Sequence, residues 1–214
     1  MEYELLTNTF KIPEGLLWYL PFLVASEIST EDQQELNTFD TRTHFMAVGN
    51  LKHAPNVAAI QLLNKHIWPK VRQHLPMAEL HIYGAYAPQH LQEMHSPESG
   101  FLIKGWASNI SEVMQHHKVQ LAPLPFGAGL KGKLLDAMQN GLPTVTTQMG
   151  AEGYYSTTED LAFISDDLDA FAAQAVALYT QKEAWKTVQK HGFQTVNKHF
   201  LQTTHAASFI ARTK

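Results

Sequence analysis

Two lysines set in a run of small residues are the first chemistry the sequence offers. After Pro123-Leu124-Pro125, the residues Phe126, Gly127, Ala128, Gly129 and Leu130 bring an almost bare backbone to Lys131 and Lys133. Glycine lets a chain approach a ligand closely, and the first turn of a helix leaves its N–H donors unpaired. A helix opening near Leu130 would therefore aim donors at an anion. That helix end contributes about 0.3–1 kcal/mol to an exposed charge and up to ~2 kcal/mol to a partly buried one, too little to select a doubly charged group. A lysine about 4 Å away contributes roughly 4 kcal/mol at an effective dielectric of 20, before desolvation is subtracted. The lysines decide the matter: a diphosphate fits against Ala128 and Gly129 if Lys131 and Lys133 turn inward. Asp136, further along the same helix, would repel phosphate and suits the vicinal hydroxyls of a ribose. Lys133 has a second reading, a solvated ion pair with Asp136 three residues on.

Such a loop must be positioned by strands. An apolar strand from Val119 to Leu124 leads into it, the helix stops at Gly141, and a strand over Thr144–Thr147 leads to a second glycine turn at Gly150-Ala151-Glu152-Gly153, where Glu152 reads as a loop carboxylate in water. The same alternation recurs upstream. Phe45–Gly49, Leu80–Gly84 and Phe101–Gly105 read as short buried strands. Between them, a helix carries Val57, Ile60, Leu63 and Ile67 at helical spacing and stops before Pro69, with a shorter helix at Pro88–Met94 and another at Ser108–His117. Strands that alternate with helices over short loops form a parallel sheet, so the fold class is α/β: a Rossmann-like open parallel sheet with helices on both faces. In such sheets ligands bind beyond the carboxyl ends of the strands. Those ends are Gly49-Asn50, Gly84, Gly105-Trp106 and Phe126 to Gly129; each glycine alone could serve a tight turn, but together they make a cleft.

The flanks are less regular. Tyr3–Phe10 reads as a short strand, Leu16–Ala25 as an apolar packed or linker segment, and Ser29-Thr30-Glu31-Asp32 as the capped start of a short helix. A signal peptide is disfavoured there, because Glu2, Glu4 and Glu14 precede the apolar run against Lys11 alone. A last strand is expected over Leu161–Ile164. Three helices follow, with Leu168, Phe171, Ala175, Leu178, Trp185, Val188, Phe209 and Ile210 packing one-sidedly on the core.

With 214 residues, 44% of them hydrophobic, the chain can bury one sizeable core. A net charge of -4 and no basic run exclude nucleic acid as a main partner. The twelve histidines are scattered; His116 and His117, the closest pair, point apart on a helix, and no metal site is read. The absence of cysteine fits a reducing compartment, hence a cytoplasmic location.

Three further stretches join Pro123–Gly153, within which Gly141–Thr147 belongs to the same match, in one ordered set: residues 45–56, from Phe45-Met46-Ala47-Val48-Gly49 to Pro55-Asn56; Ile67–Arg72; and Ala78–Gly84. Over about residues 44 to 200 the set resembles the C-terminal, nucleotide-sugar half of the GT-B glycosyltransferases, in particular the retaining family called group 1 or family 4. The resemblance implies a single GT-B half-domain over residues 41–200, preceded by an interdomain-like segment (1–40) and followed by a helical tail (201–214). It also implies donor binding by Gly49, Asn50, Gly84, Gly105, Trp106, Phe126 to Lys131, Lys133, Asp136 and Glu152. That family's two carboxylates, eight positions apart, fall here on Ala128 and Asp136, so the ribose carboxylate is kept and the sugar-side one is lost. Asn50 stands where many members carry an arginine, and Lys131 takes over part of that charge. The implied activity is transfer of a sugar from a UDP- or GDP-sugar to an acceptor hydroxyl in carbohydrate biosynthesis, with no cofactor and no essential metal. The acceptor half is absent, so the partners are the nucleotide-sugar donor and either a separate acceptor-domain protein or a second copy of the chain. Any membrane contact would be peripheral, through a partner. A binding module without transfer and a sugar-nucleotide epimerase remain open beside the transferase.

Overall fold

The computed structural model describes residues 2–18, 20–154 and 163–212. Among them, five parallel strands form one sheet in the order β3-β2-β1-β4-β5: β1 (Thr43–Val48), β2 (Leu80–Tyr83), β3 (Phe101–Gly105), β4 (His117–Ala122) and β5 (Thr144–Thr146). Phe45 lies opposite both Leu80 and Val119, so β1 is central. The order reverses between β1 and β4, because the chain leaves β1 toward one edge and β4 toward the other. This is the topological switch point, where loops diverge and leave a crevice.

On one face, Phe45, Leu80, Ile82, Phe101, Val119 and Val145 meet α3 (Ala54–Leu62), α4 (Trp68–His74) and α9 (Leu168–Thr180) through Ile60, Trp68, Val71, Phe171 and Leu178, all buried. On the other, Met46 meets Met114 of α6 (Ile110–His116) and Ala137 of α7 (Gly132–Gln139). Helix α10 (Lys182–His199) closes against α7 with Val196, and Trp185 is buried, as its spacing required. Smaller elements are α2 (Thr30–Glu35), α5 (Gln89–Gln92), α8 (Gln148–Ala151) and α11 (Gln202–Arg212). Arg42 is fully buried and donates to the carbonyls of Asn37, Met114, His117 and Asn140, tying the start of β1 to α6 and to the end of α7.

Three expectations are corrected. Tyr3–Phe10 is not a strand, because α1 spans Glu2–Asn8: adjacent Leu5 and Leu6 break a period of two, while Tyr3 and Leu6, three apart, line one groove with Leu17, Trp18 and Leu130. The helix through Ile67 does not stop before Pro69. A π turn over Leu63–Ile67, with Trp68 N–H reaching Leu63 O, widens the helix where proline lacks its donor and its ring crowds the preceding turn, and α4 carries on. Ile210 of the tail is 52% exposed, not buried in the core. Leu161 and Ala162 of the expected last strand lie outside the described residues, as does the Phe209 side chain. Ile164 does bridge Thr146 in parallel, with Ser165 N donating to Thr146 O at 2.9 Å. Ser29 caps α2 in a reciprocal box with Asp32.

His117 opens β4 and His81 lies in β2, and the two rings meet, Nδ1 of His81 to Nε2 of His117 at 2.8 Å; Glu79 Oε2 lies 2.7 Å from His81 Nε2. His116, by contrast, turns outward to the carbonyl of Glu112. Burial lowers the pKa of His81 and pushes that of His117 down to about 4. Between 6.5 and 4 the unfolded chain therefore holds protons that the folded chain does not. Stability is complete above the ordinary histidine value and is lost as pH falls through this window, by roughly 3 kcal/mol for His117. Urea midpoints at about pH 7 and pH 4 should differ accordingly, and His117→Phe should flatten the difference; a slope unchanged in that variant would assign the acid loss elsewhere.

Candidate nucleotide-sugar site

The crevice at the switch point is built from glycine outward. A Cβ on Gly84 would sit 2.1 Å from Gly49 O, and one on Gly49 would meet the Asn56 side chain at 2.7 Å and Lys133 Nζ at 2.8 Å. Only bare backbone lets the ends of β1 and β2 come this close. Gly49 N donates to Tyr83 O at 3.1 Å and Gly84 N to Gly105 O at 2.8 Å, which laces three strand ends together.

Lys133 crosses the crevice. From α7, which follows β4, its Nζ reaches Asn56 Oδ1 at 2.6 Å on α3, which follows β1. Asn56 in turn donates to Asn50 O at 2.8 Å, so the amide is fixed with its oxygen toward the lysine. Among the described residues no carboxylate pairs with Lys133, and desolvation pushes its pKa down to about 8. The solvated pair with Asp136 is thereby excluded: Asp136 lies on the exposed side of α7, its carboxylate makes no hydrogen bond or ion pair among the described residues, and its pKa is raised by desolvation.

The glycine loop stands beside this lysine. Gly127 and Gly129 have φ of 149° and 66°, and a Cβ on Gly127 would reach 4.0 Å from Pro55 Cγ, at the start of α3. Phe126 and Ala128 are exposed, and Leu130 is half-buried. The helix begins at Gly132 rather than at Leu130, with Lys131 at the N-cap position. Lys131 is folded back: its ammonium donates to Gly129 O and lies 3.7 Å from Glu152 Oε2. Tyr154 Oη donates to Lys131 O at 3.0 Å and holds the turn. Glu152 follows α8, which Thr147 caps by accepting from Gly150 N, and Thr147 also donates to Leu124 O at 2.6 Å beneath the loop.

Gly84, Gly105 and Trp106 line a separate open groove of about 800 Å³ with Tyr86, His95 and Lys104, at the ends of β2 and β3. Trp106 is 72% and Tyr86 66% exposed. Asn50 is exposed and accepts from Lys52 N at 3.0 Å. The structure thus brings together Gly49, Gly84 and Lys133 in one cluster, Gly127, Gly129, Lys131 and Glu152 in a second that adjoins it, and Gly105 and Trp106 beyond. Asn56, Tyr86 and Tyr154 were not singled out from the sequence. Asn56 sits in the first turn of a helix behind a proline, where an asparagine ordinarily serves only as a cap, and no spacing rule couples it to Lys133, 77 residues away.

The fold and this strand-edge crevice define an α/β half of the GT-B glycosyltransferase class. Glycosyl transferases group 1 is the family that matches, over residues 42–181, and the chain belongs to it. A comparison with curated proteins finds no match. Among solved structures, similarity extends to a glycosyltransferase of Rickettsia africae (TM-score 0.72, 11% identity, 97% of this chain and 59% of that one). It extends also to S. aureus TarM, solved with fondaparinux, α-GlcNAc-glycerol and UDP (0.68, 10%, 91% and 38%). A third is the pneumococcal O-GlcNAc transferase GtfA, solved with UDP and GlcNAc (0.65, 16%, 89% and 37%). These likenesses are of fold, and the chain spans less than two thirds of each relative's length.

Proposed function

We propose that the chain is the donor-binding half of a retaining glycosyltransferase: it holds a nucleoside diphospho-sugar at the β1–β4 crevice while a second module presents the acceptor hydroxyl. The observation that carries this reading is Lys133, a desolvated ammonium without a counter-charge among the described residues, held by Asn56 at the switch point beside a bare glycine loop. A site that keeps a cation in so costly a place has an anion to receive. A diphosphate lying along Gly127–Gly129 would meet Lys133 on one side and Lys131 on the other. The nucleoside would extend over Gly84 toward the groove of Gly105 and Trp106, and the Asp136 carboxylate, unpaired among the described residues, would take the ribose hydroxyls. Stabilising the departing diphosphate is this half's part in transfer, since charge develops there as the glycosidic bond breaks.

The second module has a place to sit. Leu5, Phe10, Leu16, Leu20, Phe22 and Leu23 are each more than 40% exposed, and Phe22 approaches the glycine loop at Gly132. Eight acidic residues against Lys11 in the first forty make this surface strongly negative, which disfavours a second copy of the same surface and an anionic bilayer. A partner with an apolar centre and a basic rim fits. No helix among the described residues is long and apolar enough to cross a membrane, and the cysteine-free composition suits the cytoplasm. Ala128, which offers no carboxylate to a sugar, and Asn50, which offers no positive charge to a diphosphate, favour a second reading, a donor-binding module without transfer.

Calorimetric titration with UDP, GDP and ADP tests the proposal. At least one should bind well below millimolar, and Lys131→Ala should weaken the diphosphate far more than the matching nucleoside. Silence from all three at millimolar concentration would end the nucleotide reading, and equal losses for diphosphate and nucleoside would remove Lys131 from the phosphate.

A further inference from the structure

Glu152 presents an unmet acceptor. Its Oε2 is buried and, among the described residues, has no hydrogen-bond partner; the charge facing it there is Lys131 Nζ at 3.7 Å, beyond hydrogen-bond length. The side chains of this pair are 10% and 21% exposed, so water screens them poorly. A buried carboxylate oxygen without a donor is costly, and a fold that keeps one has a state in which the donor arrives. The neighbours narrow down what arrives. Lys131 is held to Gly129 O and to Glu152 in the free protein, so an anion in the glycine loop competes with Glu152 for the same ammonium. Once the anion draws Lys131 away, Glu152 is left with a full charge and still more unfilled acceptor sites. A second phosphate or a carboxylate could not lie there; a neutral, hydroxyl-rich group could, donating to both carboxylate oxygens.

We propose that Lys131 and Glu152 form an exchangeable pair, in which the donor's diphosphate takes the lysine and the released Glu152 carboxylate reads hydroxyls of the sugar attached to that diphosphate. This rests on the nucleotide-sugar reading above. It places the sugar-side carboxylate on the loop after β5 instead of at Ala128, and it makes Glu152 a determinant of which sugar is accepted. In the free protein the pair closes the loop on itself. With the nucleoside diphosphate alone, Glu152 opposes binding; with the full donor, it favours it.

The two ligands should therefore respond to Glu152→Gln with opposite signs. In calorimetry with a matched pair, such as UDP and UDP-glucose or GDP and GDP-mannose, the variant should bind the nucleoside diphosphate about threefold tighter because Lys131 is released. It should bind the diphospho-sugar roughly tenfold weaker relative to that diphosphate, because amide donors replace acceptors. Wild type should also discriminate against a donor whose sugar lacks one hydroxyl, and the variant should not. If Glu152→Gln shifts both ligands equally, or neither, the exchange is refuted and Glu152 is merely part of the loop. If Glu152→Gln fails to fold, Glu152→Asp keeps the charge while withdrawing it, and the same fall in the sugar-to-diphosphate affinity ratio is required of it; an unchanged ratio refutes the proposal equally. Failure of wild type to bind any nucleoside diphosphate is a different result and strikes the site itself.

Discussion

Lys133→Met should make the protein more stable and empty its site at once. Lys133 Nζ is desolvated, donates to Asn56 Oδ1 at 2.6 Å and has no anion near it among the described residues, and its pKa is pushed down from 10.5 to about 8. A lowered lysine pKa means that the unfolded chain holds the proton more tightly than the folded one. The cost is therefore fully present below about pH 8 and fades as pH rises toward 10.5, at roughly 3 kcal/mol in full. Methionine has nearly the same length and no charge, so the buried stem still packs. At about pH 7 the variant should unfold several degrees higher, with the gain shrinking as pH is raised through 8 to 10. Nucleoside diphosphate binding should fall by about a hundredfold or more, the loss of one close charge in a poorly screened place. Binding to wild type should itself weaken above about pH 8, where Lys133 loses its proton, and around and above that pH, not below it, it should take up protons from buffer. A variant less stable than wild type, or one that binds UDP unchanged, would show that the lysine is structural.

That trade of stability for charge was only half visible in the sequence. The alternation of Phe45–Gly49, Leu80–Gly84 and Phe101–Gly105 with helices declares a parallel sheet, because buried strands and amphipathic helices are written in local spacing, and all three strands are where that spacing puts them. Glycine at each strand end marks the edge where the loops of β1 and β4 diverge. What local spacing lacks is direction in space. Lys131 and Lys133 are equivalent in the sequence, two residues apart, yet they point to different partners: the N-cap lysine folds back on its own loop, while the one two positions into α7 reaches across the switch point. The meeting of His81 with His117 depends on both strands flanking β1, which no pattern within either one contains. At Pro69 the proline rule gives a stop, and tertiary packing overrides it: Trp68 and Val71 are too deeply buried for the helix to end, and a π turn absorbs the missing donor instead. The first forty residues carry mixed signals because their apolar side chains are largely exposed, so burial imposes no period on them.

Gly84→Ala should do more damage than any other single methyl group added to this edge. The new Cβ would lie 2.1 Å from Gly49 O and 2.9 Å from Leu51 Cγ. Contact between carbon and oxygen requires about 3.2 Å or more, so one strand end must retreat by about an ångström. Neither can do so freely. The carbonyl belongs to backbone whose N–H is bound to Tyr83 O, and Gly84's own N–H is bound to Gly105 O. Leu51 is buried at 1% exposure and cannot swing out to solvent. Overpacking of this kind costs about 1–3 kcal/mol, and a broken strand-end hydrogen bond adds about 1 kcal/mol more. The retreat also moves Gly49, whose Cα stands against both Asn56 and Lys133, so the ammonium loses its place at the switch point. Thermal unfolding of Gly84→Ala should therefore begin well below wild type, and UDP affinity measured below that temperature should drop at least about tenfold. Gly15→Ala supplies the control, because a Cβ there meets nothing within 4 Å, and it should leave both stability and binding as they are. If Gly84→Ala binds UDP normally while it is still folded, the close approach of β1 and β2 serves the sheet alone, and the position of Lys133 must be set entirely by α3 and α7.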